Sequence, residues 1–172
     1  MTVRTWSLWL QPEQAAAAEL EAVIARLAAA YGTAVFPAHL TLLGPLERDT
    51  DAAVAGLDRV AGSLGPLLAR FDEVRCEPVW QRSIYLAAVP SEALRQAADA
   101  AARAFSIPGQ PEFMPHLSLQ YSELPLAQKR RLASSLELRL PASIRLDRLS
   151  LWLTEGSEAH AWRLQATRSL DS

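Results

Sequence analysis

Cysteine is nearly absent from this chain: Cys76 stands alone among 172 residues. No intramolecular disulfide can form, and no zinc site of the finger or ribbon type, which needs at least two thiolates, is available. A lone thiol suits a reducing compartment. Cys76 lies in no motif that marks a nucleophile and reads as a small buried residue. Long apolar runs are missing as well. Nowhere do about 18 uninterrupted apolar residues occur, so no segment reads as a membrane-spanning helix. Residues 1–12 lack the charged leader, apolar stretch and small-residue cleavage site of a secretory signal. The expectation is a cytoplasmic protein with no membrane partner.

An excess of either charge is also lacking. Seventeen Lys and Arg against 19 Asp and Glu leave a net charge of −2, with a pI near 5.9. A surface built to neutralise many nucleic-acid phosphates needs a surplus of cations, so the balance argues against bulk nucleic-acid binding, while one small anionic ligand in a local site is compatible with it. Lys129, Arg130 and Arg131 read as a solvated helix face, and Arg145 and Arg148 similarly. The sequence has no glycine-rich phosphate loop, no His-Glu-x-x-His and no Gly-x-Ser-x-Gly elbow.

What is present is globular. Half of the residues are hydrophobic and 21% are charged, and the length suits a single domain spanning residues 1–172. Strand-like segments are expected at 5–10, 39–43, 71–79, 83–89, 116–121, 144–153 and 161–167, with an irregularity near Arg148. Helical spacing covers 12–31, where Leu20, Val23, Ile24, Leu27 and Tyr31 fall on one face and Gly32 follows the end. Thr50 and Asp51 are candidate caps for a second helix, Ser91 for a third, and Pro125 opens a fourth that ends near Leu136. Gly44-Pro45 reads as a turn closing its strand, and residues 80–82 as the turn of a hairpin. These elements predict an α+β fold.

Three histidines occur, and two of them share a local sequence. Phe36-Pro37-Ala38-His39-Leu40-Thr41-Leu42 aligns with Phe113-Met114-Pro115-His116-Leu117-Ser118-Leu119. Each copy opens a strand and follows a helix. One His-x-Thr carries no weight, but two copies in matched surroundings do. On a strand, residues i and i+2 share a face and the residue between them points away. Each copy therefore offers an imidazole beside a hydroxyl, backed by leucines able to pack in a core. Two imidazoles across one groove can accept and donate protons near neutral pH, and the hydroxyls can donate to non-bridging phosphate oxygens. Attack on a phosphodiester, with no metal or cofactor required, is the chemistry this pattern predicts. His160 has no hydroxyl at i+2 and is assigned no role.

The paired motifs resemble the two-histidine (2H) phosphoesterase superfamily, and within it the cyclic phosphodiesterase branch. The likeness rests on Ser7-Leu8-Trp9 with Pro12, Phe36 with His39-Leu40-Thr41, the segment from Phe113 to Leu119, then Tyr121 and Glu123, and the terminal strands. Ala38, standing between Pro37 and His39, and Trp6, where the family commonly has tyrosine, depart from it. The resemblance implies two pseudo-symmetric α+β lobes, antiparallel sheets with helices outside, around a central cleft. It implies His39 and His116 as the catalytic pair, Thr41 and Ser118 as phosphate ligands, and Tyr121 and Trp9 as aromatic lining. The implied reactions convert ADP-ribose 1'',2''-cyclic phosphate to the 1''-phosphate and open nucleoside 2',3'-cyclic phosphates to 2'-phosphates. Small cyclic nucleotides are thus the expected partners of a monomer. RNA 3' ends, through cyclic-phosphate opening or 2'-5' ligation, are the alternative substrates, and a non-catalytic nucleotide-binding module is the alternative class.

Overall fold

The computed structural model describes residues 2–156 and 158–171. Among them seven strands alternate with four α-helices. The chain runs β1 (Arg4–Pro12), α1 (Gln14–Tyr31), β2 (Leu40–Arg48), α2 (Thr50–Ala61), β3 (Leu67–Cys76), β4 (Ile84–Ala88), α3 (Glu92–Ala104), β5 (His116–Gln120), α4 (Leu126–Ser135), β6 (Ala142–Leu153) and β7 (Arg163–Ser169). Short 3-10 turns stand at Trp80–Arg82 and Ala159–Ala161. No helix among these residues is long and apolar enough to cross a membrane.

Every strand pairing is antiparallel, and the long strand β6 organises them. Its first half pairs with β3, from Phe71 opposite Ala142 to Leu67 opposite Leu146. Its second half lies between β1 and β7, with Trp6 opposite Leu153 on one side and Arg163 opposite the same residue on the other. The change of partner coincides with a register shift at Gln11 and Pro12, facing Arg148 and Leu146, where the sequence suggested an irregularity. Two four-stranded sheets therefore share β6: β2-β1-β6-β7 and β5-β4-β3-β6. A single bridge, Leu40 opposite Leu117, joins their free edges and closes the sheet into a ring. The expected α+β architecture of two related sheets with helices outside is the one observed.

The helices cover these sheets with the residues their periodicity marks. Helix α1 buries Leu20, Val23, Ile24 and Leu27 and ends on Gly32, whose φ of 64° is the left-handed geometry that glycine accepts without strain. Helices α2 and α3 meet where Gly56 faces Phe105; a Cβ at Gly56 would lie 2.4 Å from that ring. Glycine is the residue that lets the two axes approach so closely.

Several details differ from the sequence reading. Cys76, read as buried, is half-buried at the end of β3, and Tyr31, read as part of the apolar face of α1, is exposed. Asp49 rather than Thr50 or Asp51 caps α2, its carboxylate accepting from the Ala52 amide at 2.9 Å; a carboxylate one residue earlier reaches the first free amides, a contact worth about 1 kcal/mol. Pro12 ends β1 instead of opening α1. Strand β2 continues through Gly44 and Pro45 to Arg48, because β1 shifts register around Ser7 to follow it. A side chain at Gly44 would fall 2.7 Å from the Ser7 hydroxyl, so the irregular stretch depends on glycine. Finally, Lys129 is not on a solvated face. It is 0% exposed, the buried residue of α4, while its neighbours Arg130 and Arg131 are exposed.

Candidate active site

The bridge that closes the sheet also assembles the two motifs. Leu40 and Leu117 are the central residues of His39-Leu40-Thr41 and His116-Leu117-Ser118, and both point into the core. Their strand neighbours face the other way. Antiparallel pairing brings the residue before one bridged leucine towards the residue after the other. His39 comes towards Ser118, and Thr41 towards His116. The sequence repeat is thus converted into a local two-fold arrangement of imidazoles and hydroxyls.

Each imidazole is fixed in the same manner. His39 Nδ1 donates to the Pro37 carbonyl at 2.7 Å, and His116 Nδ1 donates to the Met114 carbonyl at 2.9 Å. A carbonyl can only accept, so Nδ1 carries the proton and Nε2 is the free nitrogen of each neutral ring. A positive charge on His116 disfavours one on His39, which places both rings in one electrostatic site.

The surroundings of the two rings differ. His39 is 3% exposed and lies flat on Trp9, centroids 3.6 Å apart. Trp9 is stacked in turn on Trp152 at 4.6 Å. Burial lowers the His39 pKa to about 4, although the Pro37 carbonyl favours the charged ring. The Tyr121 hydroxyl stands 3.4 Å from Nε2. Burial pushes that phenol up to about 12 despite the neighbouring Ser118 hydroxyl, so it remains a donor at neutral pH. Tyr121 itself stacks on Trp80 at 4.7 Å.

His116 is less enclosed and has charged neighbours. Burial lowers its pKa first, then the positive Arg82, while its Met114 hydrogen bond and the Glu77 carboxylate act in the opposite direction. Glu77 accepts from the Arg82 guanidinium and from the Tyr85 hydroxyl, each at 2.7 Å. Those contacts hold the Glu77 carboxyl below its ordinary range although burial opposes them. The edge of Tyr85 meets the His116 ring at 5.2 Å.

The structure places the residues singled out in the sequence as follows. Thr41 is half-buried, and Ser118 is buried with its hydroxyl donating to the Gln81 carbonyl at 3.4 Å. Tyr121 touches His39 and, alone among the predicted site residues, lines a neighbouring cleft of about 930 Å³, to whose lining His39, Thr41, His116 and Ser118 do not contribute. Trp9, expected as lining, is 2% exposed and stands behind His39, so it meets a ligand only through that imidazole. Sequence reasoning missed Trp80, Arg82, Glu77, Tyr85 and Trp162. The Trp162 indole stands edge-on to Trp9 and Tyr121, with centroids 5.5 Å away in both cases. Its buried N–H has no hydrogen-bond partner among the described residues.

The described cleft lining includes Tyr31, Trp80, Gln81 and His160, two carboxylates from Glu123 and Glu158, and no lysine or arginine. Aromatic faces here suit a planar base, and the charge pattern does not suit a train of phosphates.

A closed antiparallel sheet that joins two His-Leu-hydroxyl strands at one bridge has the architecture of a two-histidine phosphoesterase. Residues 12–158 match the sequence profile of the 2'-5' RNA ligase superfamily, and the chain belongs to that family. Among solved structures it is similar to E. coli LigT complexed with ATP (15% identity, all of both chains, TM-score 0.64). It is similar as well to E. coli LigT complexed with 3'-AMP (16% identity, 99% of this chain and 100% of that one, TM-score 0.64). The protein TT0787 of Thermus thermophilus has the same fold (17% identity, 96% of this chain and 97% of that one, TM-score 0.64). Among curated protein sequences, none matches this chain.

Proposed function

We propose that this chain is a cyclic phosphodiesterase for small nucleotides, with His39 and His116 as its catalytic pair. The observation that carries the reading is the shared anchoring of the two rings: both use Nδ1 on a carbonyl two residues upstream, leaving both Nε2 atoms for proton transfer.

In this mechanism Thr41 and Ser118 donate to the non-bridging oxygens of the phosphodiester. His39, held neutral by burial, takes a proton from water as the water oxygen bonds to phosphorus. His116 gives a proton to the ribose oxygen as its bond to phosphorus breaks. A phosphomonoester remains on the other ribose oxygen, and the two imidazoles exchange protons with solvent to complete the cycle. No step requires a metal.

A nucleoside 2',3'-cyclic phosphate opened to the 2'-phosphate is the favoured substrate, its phosphate between the two motifs and its base towards the aromatic cleft beside Tyr121. It has one negative charge, whereas the pyrophosphate of ADP-ribose 1'',2''-cyclic phosphate adds two near Glu123 and Glu158. An RNA strand would bring more, so RNA-end processing ranks below both. The E. coli LigT structures that contain ATP, 3'-AMP, phosphate and NADP+ support a phosphorylated nucleotide as the ligand class.

The test is turnover in EDTA of 2',3'-cyclic AMP, ADP-ribose 1'',2''-cyclic phosphate and an oligonucleotide ending in a 2',3'-cyclic phosphate, with products resolved by phosphate position. The expected order follows the order named, with both His39→Ala and His116→Ala losing roughly 10²–10⁴-fold while still folding. Binding of 2',3'-cyclic AMP without turnover would make the chain a nucleotide-binding module instead.

A further inference from the structure

Helix α4 buries a cation where an apolar residue would be the ordinary choice. The Lys129 ammonium donates to three successive backbone carbonyls, those of Glu77, Pro78 and Val79, at 3.1, 3.5 and 3.4 Å. Removing an ammonium from water is costly unless its hydrogen bonds are replaced, and three carbonyls converging on one nitrogen replace them. The acceptors belong to the segment that leads into the Trp80–Arg82 turn.

That turn supplies three different contacts to the site. The Trp80 ring stacks on Tyr121, which reaches His39. The Gln81 carbonyl accepts from the Ser118 hydroxyl. Arg82 pairs with Glu77, and both act electrostatically on His116. We infer that Lys129 is a positioning residue: from helix α4 it fixes the 77–82 segment, and through it the charged and aromatic walls around the proposed phosphodiester site. This inference rests on the reading of His39 and His116 as the reacting pair, but its structural content can be measured without substrate.

The test follows the ring resonances of the histidines by NMR across pH, in the full chain and without ligand. In Lys129→Met the anchoring ammonium is gone, so the segment with Arg82 is released from His116. Of the groups facing that ring, Arg82 disfavours its charge, Glu77 favours it, Tyr85 covers its edge and His39 lies across the site. Arg82 acts on His116 more strongly than Glu77 does, so loss of both is expected to move the His116 titration up, while His39, walled by Trp9 and Phe36 from outside the segment, remains near 4.

Turnover of 2',3'-cyclic AMP is expected to fall roughly 10–100-fold, mainly in kcat, as misplaced groups usually cause. A folded Lys129→Met protein in which both histidines titrate as in the wild type would overturn the inference. Should Lys129→Met not fold, Lys129→Gln decides: a positioning role displaces the His116 titration the same way by less, whereas a purely stabilising lysine leaves it in place. Absence of turnover in the wild type would sink the proposed activity without touching the titration result.

Discussion

Around His39 the walls are rings; around His116 they are charges. Trp9 lies against His39, Trp152 backs Trp9, and Phe36 and Trp162 stand edge-on to the imidazole. His116 instead faces Arg82, Glu77 and the hydroxyl-bearing Tyr85. Two matched heptapeptides, identical at four positions and anchored by the same bond, have thus been set in different media. Burial penalises the imidazolium at both rings, most at the enclosed His39, and at His116 the Glu77 carboxylate offsets part of what burial and Arg82 impose. A symmetric framework with an asymmetric lining can separate a base from an acid, which the repeated sequence alone cannot do.

The sharpest way to break this comparison is to change the leaving group. With a 4-nitrophenyl phosphodiester, whose phenolate departs without a proton, an acid has little to contribute. His116→Ala is expected to regain most of its roughly 10²–10⁴-fold loss on such a substrate, while His39→Ala stays impaired. Equal rescue of both variants would erase the assignment of roles.

Next in size is the aromatic wall. Trp9→Ala should destabilise the fold by about 3–5 kcal/mol, as removal of a buried large ring does, measured by urea unfolding. It also admits water behind His39, so that ring's titration should rise from about 4 towards 6.5. A titration that stays near 4 would show that Trp9 is not what keeps the ring dry.

The smallest effect belongs to the charged wall. If His39 must be neutral, kcat/KM falls as pH drops through about 4. If His116 must be protonated, kcat/KM falls as pH rises through the His116 pKa, which lies below its ordinary value. Glu77→Gln removes an anion that favours the His116 imidazolium, so the alkaline limb should move to lower pH while the acid limb stays. An unmoved alkaline limb would detach Glu77 from the acid. In the substrate complex both limbs should lie higher, because a bound phosphate anion favours both imidazolium forms.

Much of this site was legible because strands alternate with period two. Given His39-Leu40-Thr41 and His116-Leu117-Ser118, the shared face of imidazole and hydroxyl follows from backbone geometry alone. The matched leucines were legible as core residues, but their pairing with each other was not, because alternation does not say which strands are neighbours. Trp9 was legible as a strand residue but not as the ring behind His39, since alternation gives two faces without naming which one the partner strand covers. Lys129 was illegible for a different reason. It sits beside two arginines that are solvated, and its acceptors are backbone carbonyls some fifty positions earlier, which no side-chain pattern reveals. The Glu77, Arg82 and Tyr85 cluster spans a hairpin turn, and its convergence depends on the register of β3 with β4. Asp49 shows a smaller limit: with Asp49, Thr50 and Asp51 in succession, every one is an acceptable cap, and only the backbone decides.

The Leu40–Leu117 bridge has a consequence for local opening of the molecule. Those leucines are far apart in the chain, and the ring they close has no other pairing at that seam among the described residues. Each other joint of the ring has at least four paired positions, so this seam has the fewest backbone hydrogen bonds to hold it. Each of the two sheets carries one imidazole and one hydroxyl, His39 with Thr41 on β2 and its approach and His116 with Ser118 on β5, and alone possesses only half of the proposed chemistry. An opening confined to that seam would separate the two halves of the site while leaving each sheet's other pairings intact.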